Sequence, residues 1–173
     1  MEKQWPALFS LIKFLILTLS TCRLNHGKRF FSKFESSLFP QIGAGAFAIV
    51  FLGTSRKTGT EFAVKDIDRS KMTWNGRDAL QDEIAILQQL QAAPAIVHLE
   101  DVFPEARSCY LVMELMSGGQ LFDRIIEKAL FTEKEAKGSC RAILSALEFM
   151  HDRRMVHRDL KPENLLLKVR IVL

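Results

Sequence analysis

The sequence predicts an α+β fold, with short strands and one helix in residues 38–114 and mostly helices in residues 120–173. Three observations predict it. Brief apolar runs in the first part are separated by turn residues. Apolar residues at helical spacing follow the second of these runs. A capping box then begins another helical pattern in the second part. A chain of 173 residues is long enough for one domain with its own core.

The composition is that of a globular protein, with 48% apolar and 25% charged residues. The net charge of +4 lies in residues 1–40, which carry six basic and two acidic side chains, whereas residues 41–173 carry eighteen of each. The domain therefore lacks the basic character of a nucleic-acid-binding surface, and we expect no nucleic-acid partner. The sequence has three cysteines, an odd number, and none is in a C-x-x-C arrangement: Cys22, Cys109 and Cys140. This favours free thiols over disulfides or a zinc site.

Residues 1–37 form a hydrophobic and basic leader, for which targeting and disorder are both open interpretations. Its apolar run, residues 8–19, is shorter than the about 20 residues that a membrane span needs. A signal-peptide core is a nearer match, but the positive charges follow the run instead of preceding it. An uncleaved anchor, a membrane-surface helix and an irregular extension are the alternatives. We expect a cytoplasmic protein, with membrane contact through residues 8–19 as the alternative.

The first strands surround a run of small residues, Ile42-Gly43-Ala44-Gly45. Glycines at 43 and 45 allow a hairpin to lie close over a phosphate group, with backbone N–H groups facing the phosphate oxygens. A tight hairpin without a ligand fits this pattern equally well.

The next strand, Phe62-Ala63-Val64-Lys65, ends in a lysine. A lysine that points inward from a strand is costly to bury unless an anion meets it. A helix is predicted from about 77 to 91, and Glu83 lies beside its apolar stripe, where it can turn toward Lys65. A solvated helix face is the alternative for Glu83. The stripe consists of Leu80, Ile84, Leu87 and Leu90.

Strands at 96–103 and 109–115 complete the first part, and Ser117-Gly118-Gly119 predicts a connection between two lobes. A short helix is expected at 121–126. Thr132 and Glu135 form the capping box of a longer helix that runs to about His151. Its predicted buried stripe is Ala136, Ile143, Leu144, Leu147 and Met150.

A loop near the end of the sequence combines a carboxylate, cations and an amide: His157-Arg158-Asp159-Leu160-Lys161-Pro162-Glu163-Asn164. Pro162 disfavours a continuous helix there. These residue types suit acid–base chemistry, phosphate binding and metal coordination in one place. An Asp159 that merely caps the loop is the structural alternative.

The phosphate hairpin, the strand lysine, the helix glutamate and this octet occur in the order found in eukaryotic protein kinase domains, which the sequence resembles over about residues 38–167. The amino-acid sequences of residues 118–125 and 161–164 are similar to those of the calcium/calmodulin-dependent kinase group. The resemblance implies a complete N-lobe at 38–114, with a five-stranded antiparallel sheet and the C-helix. It implies a hinge at 115–119 and a partial helical C-lobe at 120–173.

The resemblance also implies roles for individual residues in binding ATP and Mg²⁺. Lys65 holds the ATP phosphates and pairs with Glu83, Asp159 accepts the proton of the substrate hydroxyl, and Lys161 stabilises the phosphoryl group. Asn164 is the expected metal ligand. Glu163 is grouped with the nucleotide site and is also expected to meet a basic residue of a peptide substrate. The other expected nucleotide-binding residues are Ile42, Gly43, Ala44, Gly45, Val50, Ala63, Met113, Glu114, Met116 and Leu166.

The sequence departs from the family pattern at three points. Ala48 replaces the third glycine of the phosphate hairpin, and Gln120 replaces a glutamate that reads substrate arginines in this group. No Asp-Phe-Gly triplet follows Asn164, so the carboxylate expected to be the main Mg²⁺ ligand is missing. We therefore expect a truncated Ser/Thr protein kinase with little or no transfer activity, and any calmodulin-responsive tail beyond residue 173.

Two other functions stay open. The first is a non-catalytic, pseudokinase-like fragment that binds nucleotide weakly or competes for partners. The second is a membrane-tethered adaptor in which the leader carries the function. Membrane fractionation and a transfer assay distinguish these alternatives from a kinase with a serine or threonine protein substrate.

Overall fold

The computed structural model describes residues 12–14, 30–35, 40–44, 48–71, 74–93, 95–128 and 132–168. In chain order its elements are β1 (Ile12–Phe14), α1 (Phe30–Lys33), β2 (Gln41–Ala44), β3 (Ala48–Thr54), β4 (Glu61–Asp68), α2 (Trp74–Gln89), β5 (Leu99–Pro104), β6 (Ser108–Glu114), α3 (Leu121–Lys128), α4 (Glu133–His151) and β7 (Leu165–Leu167). Short 3₁₀ turns lie at Arg69–Lys71 and Pro162–Asn164.

These residues form two compact units. The first contains described residues between 30 and 88 together with 98–115, and the second contains 12–14, 89–97 without residue 94, and the described residues from 116 onward. The boundaries expected at residues 38, 114 and 120 stay predictions.

The first unit is built on one five-stranded antiparallel sheet in the order β2-β3-β4-β6-β5. This confirms the α+β class and the predicted sheet. Leu80, Ile84 and Leu87 of α2 are buried, as the helical spacing predicts. The helix itself begins at Trp74 and ends at Gln89, two to three residues earlier than the pattern suggests.

One face of this sheet carries an aromatic cluster that includes residues of the predicted leader. Phe30 and Phe34 are buried against Val64, Phe103 and Val112. Phe62 and Tyr110 pack around the same cluster. Residues 30–35 are therefore part of the first unit, although the sequence pattern assigns them to the segment before the domain.

The second unit is helical, with one small sheet. The capping box of α4 forms as predicted, because Thr132 Oγ1 accepts from the backbone N–H of Glu135 and Glu135 Oε2 accepts from that of Thr132. The predicted burial of Leu144 is wrong, since this side chain is 63% exposed. The buried stripe is instead Ala142, Ala146 and Met150. Leu144 lies two positions after Ala142, which places it on the opposite side of the helix.

Strand β7 pairs antiparallel with β1, in the register Ile12 to Leu167 and Phe14 to Leu165. Three residues of the apolar leader run are thus in a strand beside the end of the predicted catalytic loop. Within the described part of the chain, no helix is long and apolar enough to cross a membrane. Cys109 is buried and Cys140 is exposed, and neither forms a disulfide within the described residues, while Cys22 lies outside them.

Candidate active site

A buried ion pair joins β4 to α2. Lys65 Nζ lies 2.9 Å from Glu83 Oε1, and the two side chains are 8% and 1% exposed. Burial raises the pKa of Glu83, and the charge and hydrogen bond of Lys65 oppose that rise. The other carboxylate oxygen, Oε2, has no hydrogen-bond partner among the described residues. The solvated-face alternative for Glu83 is therefore wrong, and the pair is an internal feature of the first unit.

The pleat of the sheet places further predicted residues beside Lys65. Val50 of β3 is opposite Lys65 in the register of β3 and β4. Ala63 is two residues before Lys65 on the same strand, and it is opposite Met113 of β6. Because alternate residues of a strand share a face, Val50, Ala63, Lys65 and Met113 lie on one side of the sheet. The structure thus brings together the four strand residues expected around the nucleotide.

The phosphate hairpin is described only in part. Gly43 is opposite Val50 and does not have the left-handed backbone that often requires glycine. A Cβ atom built on Gly43 would lie 3.6 Å from Val50 Cβ, an ordinary contact, so packing in the sheet does not itself require glycine. Ile42 is half-exposed and Ala44 is exposed on β2, while Gly45 lies outside the described residues.

Glu114 ends β6 and is tied to the segment before β5. Its backbone N–H donates to the carbonyl of His98 at 3.0 Å, and its Oε1 accepts from the backbone N–H of His98 at 2.7 Å. The backbone N–H of Glu114 is therefore already in use within the first unit. Sequence reasoning did not identify His98, because a loop residue that bonds through its backbone leaves no signal in its side-chain type.

The second unit holds the loop residues, with Asp159 at their centre. Asp159 Oδ2 lies 3.0 Å from Lys161 Nζ and 2.9 Å from Asn164 Nδ2. Asn164 Nδ2 also donates to the backbone carbonyl of Asp159 at 2.7 Å. These hydrogen bonds, that of Lys161 first and that of Asn164 second, hold the pKa of Asp159 below its ordinary value. Asp159 is thus a carboxylate at neutral pH.

Local backbone geometry brings these three side chains together. Arg158 has a φ of 64°, an uncommon conformation that turns the chain sharply just before Asp159. The backbone N–H of Asp159 then donates to Nδ1 of the buried His157 at 3.2 Å. The 3₁₀ turn at Pro162–Asn164 returns the buried Asn164 to Asp159, and proline at its first position suits such a turn.

The remaining predicted residues of the second unit are more dispersed. Glu163 is exposed on the 3₁₀ turn. Met116 is buried, and Leu166 is half-buried on β7, where it bridges to Gln120. The N–H of Gly118 donates to the carbonyl of Leu167, and the N–H of Leu167 donates to the carbonyl of Gly119, both at 2.8 Å. The segment after Met116 is thus fixed to the strand that follows the catalytic loop.

Comparison with known proteins identifies the class. Residues 37–172 match the model of the protein kinase domain family, so the chain belongs to that family. It is 47% identical over 134 residues to a probable myosin light chain kinase of Dictyostelium discoideum. The aligned residues make up 78% of this chain and 42% of that protein.

Another relative is calcium/calmodulin-dependent protein kinase type 1 of Caenorhabditis elegans, 47% identical over 126 residues, or 72% of this chain and 36% of that protein. The crystal structure of Rad53 1–466 in complex with AMP-PNP has a TM-score of 0.70 and 36% sequence identity, and it covers 80% of this chain and 36% of that chain. The chain therefore spans less than half the length of these relatives. Together they confirm the predicted resemblance to Ser/Thr protein kinases of the calcium/calmodulin-dependent group.

The family uses ATP with a divalent metal ion, and the residues present fit Mg²⁺ in kind. Magnesium prefers hard oxygen ligands and binds through few protein groups together with water and substrate phosphates. The two hydrogen bonds of Asn164 Nδ2 fix its side chain, which leaves the carbonyl Oδ1 as the acceptor for an ion. In the described part of the chain, no three histidine, cysteine, aspartate or glutamate side chains converge on a metal position.

Proposed function

We propose that this chain carries the nucleotide-binding and catalytic-loop part of an ATP-dependent Ser/Thr protein kinase. The observation that carries the proposal is the arrangement of Asp159 between Lys161 Nζ and Asn164 Nδ2, at 3.0 and 2.9 Å. A carboxylate, a cation and an amide meet within one loop of the second unit. The buried pair of Lys65 and Glu83 in the first unit supports the same reaction, because it presents a fixed cation for phosphate oxygens.

In the proposed reaction, the oxygen of a serine or threonine hydroxyl forms a bond to the γ-phosphorus of ATP. The bond from that phosphorus to the bridging oxygen breaks, and ADP leaves with its electron pair. The proton of the hydroxyl passes to Asp159. Because the pKa of Asp159 is low, this residue acts mainly by orienting the hydroxyl and accepts the proton late.

Charge stabilisation supplies most of the remaining catalysis in such a reaction. Lys65 is suited to hold the phosphates, since Glu83 fixes its ammonium group and it is nearly buried. Lys161 is 48% exposed, so it can move from Asp159 toward a phosphoryl group that carries negative charge. Asn164 Oδ1 would hold Mg²⁺, whose charge offsets that of the phosphates.

The test measures transfer of the γ-phosphate of ATP to a mixture of Ser- and Thr-containing peptides. The protein used is the chain together with any sequence that its transcript encodes after Leu173. We expect transfer that falls by about a hundredfold or more in Asp159→Asn, because a general base typically contributes that much. Glu148→Gln, which changes an exposed carboxylate of α4 outside the loop, is the matched control. Equal transfer by Asp159→Asn and by the unaltered chain would contradict the proposal.

For a polypeptide of these 173 residues alone, we propose weak transfer, since they contain no Asp-Phe-Gly carboxylate. The alternative of a nucleotide-binding, non-catalytic protein predicts binding of Mg·AMP-PNP but no transfer in either the short or the extended form. Measuring both properties on both forms separates the two functions.

Three further properties are proposals that rest on names or on composition. Regulation by calcium and calmodulin, which the name of one relative carries, is proposed only through residues outside 1–173. We also propose a cytoplasmic location. Membrane contact through residues 8–19 is the alternative, and a tagged chain found wholly in the soluble fraction, with or without residues 1–30, would exclude it.

A further inference from the structure

The aromatic segment, residues 30–35, packs its phenylalanine rings against strands β4, β5 and β6 of the first unit. Its two buried rings, Phe30 and Phe34, stack on each other with centroids 4.9 Å apart. Phe30 also stacks on Tyr110 of β6 at 4.4 Å. Both rings meet Phe103 of β5 edge-on, at 5.6 and 5.9 Å, and Phe34 meets Phe62 of β4 edge-on at 6.0 Å. These are favourable aromatic geometries.

Polar contacts also fix the segment in position. The backbone N–H of Phe30 donates to Glu105 Oε1 at 3.3 Å, and Lys33 Nζ lies 3.0 Å from Asp101 Oδ2. Near the other end, Arg56 Nε donates to the carbonyl of Phe34 at 3.0 Å, and Phe34 bridges to Ser55. The segment is therefore held by β3, β4, β5 and β6 or the turns beside them.

The strand beneath the aromatic segment is the strand of Lys65. Val64 is buried in the aromatic cluster and directly precedes Lys65, and Val112 is opposite Val64 in the register of β4 and β6. Since alternate residues point to opposite faces, the aromatic segment packs on one face of β4 while Lys65 meets Glu83 on the other. Movement of β4 on the aromatic side would therefore displace the Lys65 ammonium group.

We propose that residues 30–35 are a positioning element for Lys65, acting through β4, rather than a passive connection to the domain. Phe30 and Phe34 cover one face of the central strands, and this cover keeps β4 in the geometry that the Lys65–Glu83 pair requires. The consequence for nucleotide affinity rests on the proposed function, whereas the consequence for β4 itself does not.

The experiment uses the full chain and two readouts. The first is hydrogen exchange of residues 61–68, which reports on β4 without a ligand. The second is the dissociation constant of Mg·AMP-PNP, measured by calorimetry. In Phe30→Ala/Phe34→Ala we expect faster exchange in β4 and about tenfold weaker binding. The conservative Phe30→Leu/Phe34→Leu variant should recover most of both properties.

Phe122→Ala is the matched control, since Phe122 is an exposed phenylalanine of α3 in the second unit, outside the aromatic segment. It should leave β4 exchange and affinity within about twofold of the unaltered chain. Arg56→Met is the milder test if the double alanine variant does not fold, because it removes only the side-chain bond to the carbonyl of Phe34. We expect faster β4 exchange and about threefold weaker binding in Arg56→Met.

Unchanged β4 exchange in a folded double alanine variant, or in Arg56→Met where the former does not fold, overturns the proposal. Faster exchange with unchanged affinity also overturns it, since Lys65 would then not depend on the aromatic segment. A failure of the unaltered chain to bind Mg·AMP-PNP contradicts the proposed function instead. The exchange readout then decides alone whether the segment holds β4.

Discussion

Asn164 Nδ2 donates two hydrogen bonds to the same residue, at 2.7 Å to the backbone carbonyl of Asp159 and at 2.9 Å to its Oδ2. One amide thus fixes both the backbone and the side chain of the predicted catalytic aspartate. The same bonds use the amide nitrogen of Asn164 and leave its carbonyl oxygen as an acceptor. Asn164 lies five positions after Asp159, and the 3₁₀ turn that ends at Asn164 brings the two together.

The first prediction concerns the acidity of Asp159. Lys161→Ala should raise the pKa of Asp159 toward its ordinary value, because the hydrogen bond from Lys161 is the largest cause of its lowering. Asn164→Ala should raise it less. Titration of the carboxyl carbon by NMR measures the change. A Glu163→Gln control should leave the pKa of Asp159 unchanged, and an identical pKa in all three variants would contradict the assignment.

The sign of the effect on stability follows from linkage. A carboxyl whose pKa is lower in the folded than in the unfolded chain stabilises the fold above its ordinary pKa and loses that contribution as pH falls through the folded value. Asp159 should therefore contribute to the free energy of unfolding at neutral pH and not in strong acid. Lys161→Ala should reduce this pH dependence.

The second prediction concerns the buried pair. Lys65→Met should lower the free energy of unfolding by about 3–5 kcal/mol, because it leaves the Glu83 carboxylate buried without a cation. Lys65→Met/Glu83→Leu should recover most of this loss, since no buried charge remains. Urea denaturation measures both. Lys33→Met is the control, because Lys33 is half-exposed in its pair with Asp101, and such a pair should contribute no more than about 1 kcal/mol.

The stability of Lys65→Met should depend on pH. Burial already raises the pKa of Glu83, and loss of Lys65 should raise it further. An acid whose folded pKa is raised stabilises the fold below its unfolded pKa, and that contribution is lost as pH rises through the folded value. The loss in free energy of unfolding caused by Lys65→Met should therefore be larger at about pH 8 than at about pH 5. A deficit independent of pH would argue that Glu83 is not the group left uncompensated.

The third prediction separates a ligand-binding glycine from a structural one. Gly43→Ala should change the free energy of unfolding by less than about 1 kcal/mol, because its Cβ would make only an ordinary contact with Val50. Affinity for Mg·AMP-PNP should nevertheless fall, since a methyl group hinders close approach of the backbone to a phosphate. Loss of stability with unchanged affinity would favour the plain hairpin.

The fourth prediction tests the corrected face of α4. Leu144→Ser should change the free energy of unfolding by less than about 0.5 kcal/mol, because this side chain is exposed. Met150→Ala should cost about 2–5 kcal/mol, because it leaves a cavity in the buried stripe. Thermal denaturation of the two variants compares them directly. A greater cost at Leu144 would restore the face expected from the sequence.

Much of this site could be predicted because its residues lie in local patterns. The octet of residues 157–164 places Asp159 and Asn164 within one turn of each other, and the capping box at Thr132 and Glu135 depends on a fixed spacing. Helical periodicity places Glu83 on a helix from which it can reach Lys65. The sequence alone is equally compatible with a solvent-exposed Glu83. The sheet followed from the family resemblance.

The parts that sequence reasoning missed depend on distant contacts or on small angular differences. Leu144 has the same chemistry as the buried residues of α4, and only a rotation of about 200° from Ala142 separates it from them. The sequence pattern places Phe30 and Phe34 in the leader, because the resemblance to the family covers only about residues 38–167. Their four-residue spacing, typical of one helix face, was the signal that could have identified a packed segment.

The central proposal is that the Lys65–Glu83 pair of the first unit holds nucleotide phosphates and that Asn164, fixed by Asp159 in the second unit, holds Mg²⁺. The most direct measurement is calorimetric titration of the chain with AMP-PNP in the presence and absence of Mg²⁺. We expect binding that weakens about tenfold or more in Lys65→Met, and an Asn164→Ala variant in which the benefit of Mg²⁺ is reduced. Equal affinity in the unaltered chain and both variants, with no dependence on Mg²⁺, would contradict the claim.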